Sequence, residues 1–290
     1  MAAVSMQDAR AAGRARSKRA RAHAPIIPFL VLFGVFYVVP IAYMLVQSVT
    51  DPHLGLGNYG HILSERLYLK TAFFTIWFSA LEAAVCLVVA YPVSLLMALT
   101  SGIRRKALLA LLLLPFWISL LVRTYAWVVI LTSGGPFDQV TGAIGLDSPS
   151  ILYSPGAVFI GMLHILLPYM ILVLYPVVRD VDESYVKAAQ SLGASTMRVF
   201  ATVYVPLTFA AMIQGLTLTF IMAVGFFVTP AILGGGNVTT LPMLVDTLTQ
   251  DLLKYGLAGA LSVLLIVIVA AILLLARRRL SLGASGVGRA

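Results

Sequence analysis

Residues 182–206 read DESYVKAAQSLGASTMRVFATVYVP, a polar passage set between two long apolar runs. Asp182, Glu183 and Ser184 can cap a helix start. Tyr185, Val186, Ala188, Ala189 and Leu192 then form an apolar stripe at helical spacing. Gly193 breaks the helix, Val199, Val203 and Val205 continue a second apolar face, and Pro206 is expected to stop it. Two short amphipathic helices joined at a glycine make a small knob, or an element lying on a lipid surface. What stands on either side decides between them.

Of the 290 residues, 60% are hydrophobic and 11% are charged. A soluble domain carries about 25% charge, so this chain has too little polar surface for water. The apolar residues gather into six runs: Pro25–Val49, Thr71–Thr100, Ala107–Thr132, Ala157–Val178, Leu207–Leu233 and Gly256–Ala276. Each can cross a hydrocarbon core of about 30 Å as a helix. None alternates with the period of two that a barrel strand requires. The expected fold is therefore an all-α membrane protein with six transmembrane helices. A basic tail (1–24) and the first helix (25–49) precede a core of five helices (71–276), and a second tail (277–290) follows. The run from Pro25 is too long for a signal-peptide core, so it reads as an uncleaved first span.

The positions of the cations set the orientation. Sixteen Lys and Arg residues fall in the two tails, in Arg104–Lys106 and in the central loop at Arg179, Lys187 and Arg198. Three, Arg66, Lys70 and Lys254, fall on the opposite side. Positive residues stay inside, which puts both termini and the central loop, 179–206, in the cytoplasm. Such scattered flanking charge also argues against a nucleic-acid surface, despite a formal charge of +9. The outer loops are rich in Gly, Pro, Asn and Asp, as turns and short surface elements are.

Several chemistries are excluded. No lysine follows a glycine, so no P-loop binds ATP here. The four histidines lack metalloprotease spacing, and Cys86 is alone, which leaves neither a disulfide nor a cysteine metal site. His164 sits within an apolar run, where a packing hydrogen bond is its expected role.

Glu82 lies eleven residues into the second run, about 16 Å deep. A charge there costs about 2.5–3.5 kcal/mol or more, so Glu82 should face an interior or a cavity. It is a contact for a cationic substrate, an interhelical hydrogen bond, or a partner for Arg123 in the third run. Asp246 and Asp251 in the last outer loop either draw cations to the mouth or are simply solvated. Tyr125 in the third run and Phe226 in the fifth offer aromatic faces to a cation, or anchor the interface. Pro92, Pro115, Pro168 and Pro230 interrupt runs and are candidate kinks.

Lys187-Ala188-Ala189, three residues, Gly193, nine residues, then Val203-Tyr204-Val205-Pro206 resembles the Glu-Ala-Ala loop of permease subunits of ATP-binding-cassette importers. The alanines, glycine and proline fall in register, but Lys187 stands where that family usually has Glu. Leu114-Pro115-Phe116-Trp117, Leu121–Tyr125, Leu167-Pro168-Tyr169-Met170 and Thr229–Gly235 are similar to spermidine/putrescine permeases. The resemblance implies a type I importer permease fold in a bacterial inner membrane. It implies that the loop at Lys187, Ala188, Ala189, Gly193 and Pro206 docks on an ATPase. The implied partners are a second permease, an ATPase dimer that alone binds ATP–Mg, and an extracytoplasmic solute-binding protein. A polyamine is the implied solute. Another small solute keeps the same mechanism, and an ion-coupled secondary transporter is the alternative of another class.

Overall fold

Six helices long and apolar enough to cross a membrane are present in the computed structural model, which describes residues 26–145 and 151–287. The basic tail, 1–24, lies outside the described residues. No strand occurs among the described residues.

Helix α1 runs from Ile26 to Thr50, with a π turn at Gly34–Val38. A short α2, Gly57–Ser64, leads into α3, Arg66–Leu99. The apolar run expected as one third helix is instead broken. It forms α4, Gly102–Leu113, a 3-10 turn at Leu114–Trp117, and α5, Leu120–Leu131. Pro115 lies in the 3-10 turn and Ile118 after it is extended, so two helical axes replace one. A short α6, Pro136–Ala143, completes the third span, which covers Leu120–Ala143.

Helix α7, Pro155–Arg179, is the hub: its residues Ala157, Val158, Leu166, Met170 and Leu174 are inaccessible to solvent. It packs along α3, whose buried face carries the small residues Ser79, Ala83, Cys86, Ala90 and Ser94. Small side chains let helix backbones approach within a bilayer, where hydrophobicity alone drives no association. The short α8 spans Glu183–Ser191. Then α9 runs without interruption from Thr196 to Val224.

Pro206 does not stop that helix, contrary to expectation. A π turn at Phe200–Tyr204 precedes it, with the Val205 amide donating to the Phe200 carbonyl. A proline lacks an N–H and crowds the carbonyl four residues back, and a widened turn absorbs both defects. Pro40 in α1 follows its own π turn in the same way, with the Val39 amide bonded to Gly34. Where Gly215 of α9 faces α7, a β-carbon would stand 2.5 Å from the Met170 sulfur.

The expected fifth run also divides. α9 ends at Val224, Gly225–Phe227 are irregular, and α10, Val228–Gly234, turns back. Leu233 of α10 fills the groove opposite Gly161 of α7. Helix α11, Leu241–Gln250, is tied to α3 by the Leu241 amide on Thr75 Oγ1 at 2.9 Å. The last helix, α12, continues from Tyr255 to Val287, past the expected tail boundary at 277.

A second core joins α2, α11 and α12 through Ile62, Leu241, Leu248 and Leu261. It also holds α1, which reaches the bundle through α12 and α2. Gly256 lies against the Asp51 carbonyl and Gly259 against that of Met44, with no room for a β-carbon at either. Asp51 accepts the Gly256 amide at 2.8 Å, and Asn58 donates to the carbonyls of Ser48 and Asp51. The most apolar stretch of α1 buries no residue against the other described residues.

Candidate functional site

The central loop folds from its own sequence. Asp182 caps α8 by accepting the Ser184 amide at 2.8 Å. That bond, with the nearby Lys187 charge, holds the Asp182 carboxyl below its usual range. Lys187 Nζ donates to Glu183 Oε2 at 2.9 Å, one helical turn away, and this contact raises Lys187 above its ordinary value. Lys187 therefore has its charge partner within the loop.

Gly193 ends α8 with φ at +80°. The Ala194 amide bonds to the Ala189 carbonyl at 3.1 Å and the Gly193 amide to Gln190 at 2.9 Å. This paired closure needs a left-handed residue, which glycine supplies without a steric cost. No side chain of α8 is fully buried, although Val186 and Ala189 are half-covered. Tyr185, Leu192 and Met197 are 59%, 89% and 74% exposed, an apolar surface left uncovered by the described residues. The expected stripe thus points mostly outward.

The knob is coupled rigidly to the bundle. Phe200 stands edge-on to Tyr91 of α3 at 5.1 Å, and the Tyr91 hydroxyl shares a 2.7 Å hydrogen bond with Thr208. Val199 is buried beside them. The knob thus rides on the start of α9, a helix of 29 residues and about 43 Å.

At the far end of α9 lies a crevice of about 420 Å³ between the Gly225 break, α11 and α12. Asp246 is its sole charged lining residue, beside Gln250, Thr249, Ser262 and the ring of Phe227. Asp246 is exposed and forms no ion pair among the described residues. A carboxylate, an aromatic face and neutral hydrogen-bonding groups suit a small cation.

The other expected residues are not gathered there. Phe226 packs against the main core, and its neighbour Phe227 takes the crevice position. Tyr125 is 57% exposed on the outer face of α5. Glu82 is wholly buried, and neither carboxylate oxygen has a hydrogen-bond partner among the described residues. No ion pair joins it to Arg123, whose Nε is also buried without a partner. A cavity of about 210 Å³ nearby is lined by Ala83, Phe220 and Ile272 but not by Glu82. His164 accepts a 3.2 Å hydrogen bond from the Trp127 indole, the packing role expected of it. Phe227 rather than Phe226 takes the crevice position because side-chain direction at an irregular break has no period.

Residues 24–280 match the family described as binding-protein-dependent transport system inner membrane components. The chain is 30% identical over 213 residues to the spermidine/putrescine transport system permease protein PotB of Escherichia coli K12, covering 73% of this chain and 76% of that one. It is 33% identical over 187 residues to PotB of Haemophilus influenzae, covering 64% and 65%. A crystal structure of a bacterial alginate ABC transporter, in complex with an alginate-pentasaccharide-bound periplasmic protein, superposes with a TM-score of 0.79 at 16% identity. The match covers 92% of this chain and 97% of that one.

Proposed function

This chain belongs to the family of binding-protein-dependent transport system inner membrane components, and from that premise we propose that it admits a polyamine to the cytoplasm. It is a permease subunit of an ATP-binding-cassette importer with six apolar helices of the inner membrane. As such it is not catalytic, and a separate subunit carries the ATPase.

One observation carries the mechanism. The exposed knob and the Asp246 crevice stand at opposite ends of the same unbroken helix, α9. The knob sits in the cytoplasm with both termini, on the side where basic residues dominate. It docks through Tyr185, Leu192 and Met197 on a dimeric ATPase that binds ATP–Mg. ATP-driven closure draws this knob toward that of a second permease. Motion along α9 then moves the Gly225 break, which walls the crevice. With the crevice open outward, an extracytoplasmic binding protein delivers its solute, and hydrolysis resets the assembly.

Polyamine specificity rests on Asp246 and Phe227, together with the relatives that carry spermidine and putrescine. One carboxylate meets one ammonium group, so the second permease supplies the groups that meet the rest of a polycation. The test is ATP-dependent uptake of labelled spermidine and putrescine by the assembled transporter in proteoliposomes. Asp246→Asn is expected to raise KM about fivefold, the scale of one exposed ion pair, with kcat little changed. Uptake of both polyamines with an unchanged KM removes Asp246 from the route. No uptake of either, with ATP hydrolysis still stimulated by another solute, overturns the polyamine assignment.

A further inference from the structure

A second crevice lies away from the proposed route, between α3, α4 and α7. It has a volume of about 200 Å³ and an almost wholly apolar lining that includes Met97, Leu108, Leu112, Pro115 and Ile171. Leu108 is partly exposed, so the crevice opens on the outer surface of the bundle.

The helix that walls this crevice begins in an unusual way. Arg104 and Arg105 end the first turn of α4 and Lys106 follows them, no acidic residue stands in that turn, and Ser101 provides no side-chain cap. None of the three forms an ion pair among the described residues. A helix start is itself positive, so three cations there carry the wrong sign for the helix dipole. An anion at this end relieves both the cations and the uncapped amides. Arg104 also stands in register with the crevice: positions 104, 108, 111 and 112 share one face of α4. Arg104 is about 6 Å along the axis from Leu108.

We propose that this crevice holds one acyl chain of an anionic phospholipid, with its phosphate on Arg104 and the uncapped start of α4. Apolar crevice and cationic rim are continuous, and an anionic lipid satisfies both at once. A zwitterionic lipid offers the same chain but brings an ammonium group up to three cations. A partner helix fills the crevice and leaves the cations unmatched. Positive-inside placement puts this rim at the cytoplasmic leaflet, whose surface potential is negative.

The test is native mass spectrometry of the assembled transporter, extracted mildly from bilayers of phosphatidylglycerol and phosphatidylethanolamine. Phosphatidylglycerol is expected to be retained in preference. Each cation exchanged for glutamine should weaken retention about fivefold. Arg104→Gln/Arg105→Gln/Lys106→Gln together should weaken it on the order of a hundredfold. Leu108→Trp, which fills the crevice and spares the cations, should also displace the lipid. Both variants are read on monodisperse material with unchanged thermal unfolding. Equal retention of the two lipids overturns the proposal, as does a triple variant that keeps phosphatidylglycerol. A Leu108→Trp chain that still holds the lipid shows surface charge attraction alone and overturns the crevice.

Discussion

Gly193 offers a measurement in which backbone and contact effects separate. Its φ of +80° is costly for any residue with a β-carbon, yet a β-carbon there meets nothing within 4 Å. Gly193→Ala should therefore cost only the left-handed backbone, about 1–2 kcal/mol. That corresponds to a five- to thirtyfold loss of the closed turn. Gly193→Leu should cost the same in the isolated chain, because space is open. Gly193→Asn should cost less, since asparagine tolerates this region. Amide exchange at Gly193 and Ala194, whose hydrogen bonds close α8, reads the turn directly. ATP-dependent uptake reads the docked state. Ala and Leu are expected to accelerate exchange equally, Asn to have a smaller effect, and uptake to fall in the same order. A leucine variant far worse than alanine in uptake alone would show a partner groove closing over the turn. Exchange unchanged in alanine, or equally fast in asparagine, would refute the backbone argument.

Three further outcomes are expected. Glu82→Met replaces a buried carboxyl without partners by an apolar side chain, and removing such a cost of about 1–3 kcal/mol should raise the unfolding temperature. Uptake should persist; its loss in a normally assembled transporter would establish a direct role for Glu82 in the route. Gly256→Ala drives a β-carbon against the Asp51 carbonyl, an overpacking of about 1–3 kcal/mol. Spin labels at positions 45 and 262 should then move apart, and an unchanged distance would show that α1 is held by other contacts. The Asp182 carboxyl lies below its ordinary range, so its cap is fully present above that range and is lost as pH falls through the lowered value. Amide exchange at Ser184 should rise over that window and lose the dependence in Asp182→Asn; the same pH profile in both chains would assign the change elsewhere.

The number of spans was legible because a bilayer imposes one criterion, length of apolar run, that needs no partner residue; the third and fifth are displaced, to Leu120–Ala143 and Thr196–Val224 in place of Ala107–Thr132 and Leu207–Leu233. Gly193 was legible for a similar reason: a helix closure of this kind makes a local demand. The breaks at Pro115 and Gly225 were not, because composition stays apolar straight through them. Pro206 misled in the opposite direction. Its penalty is absorbed by a π turn upstream, and nothing in the residues Phe200–Tyr204 announces one. Glu82 faces the bundle interior, as expected of a charge within an apolar run, but whether it finds Arg123 depends on how the helices rotate about their axes. A run apolar all round carries no signal for that rotation. Asp246 was legible as an acid in the loop before the last span; its alignment with Phe227 in one crevice depends on the irregular Gly225–Phe227 backbone.

The clamp between Asp51 and Gly256 has a consequence in time. Its two ends are 205 residues apart, and α1 is made first while α12 is made last. At a synthesis rate of about 5–20 residues per second, α1 waits roughly 10–40 s for the helix that seats it. During that interval α1 is tied to the chain through α2, by the Asn58 bonds to Ser48 and Asp51. The proximal end of the chain is thus the last part of the bundle to be fixed. Completion of the fold is reported by the arrival of Gly256 and Gly259 beneath the carbonyls of Asp51 and Met44.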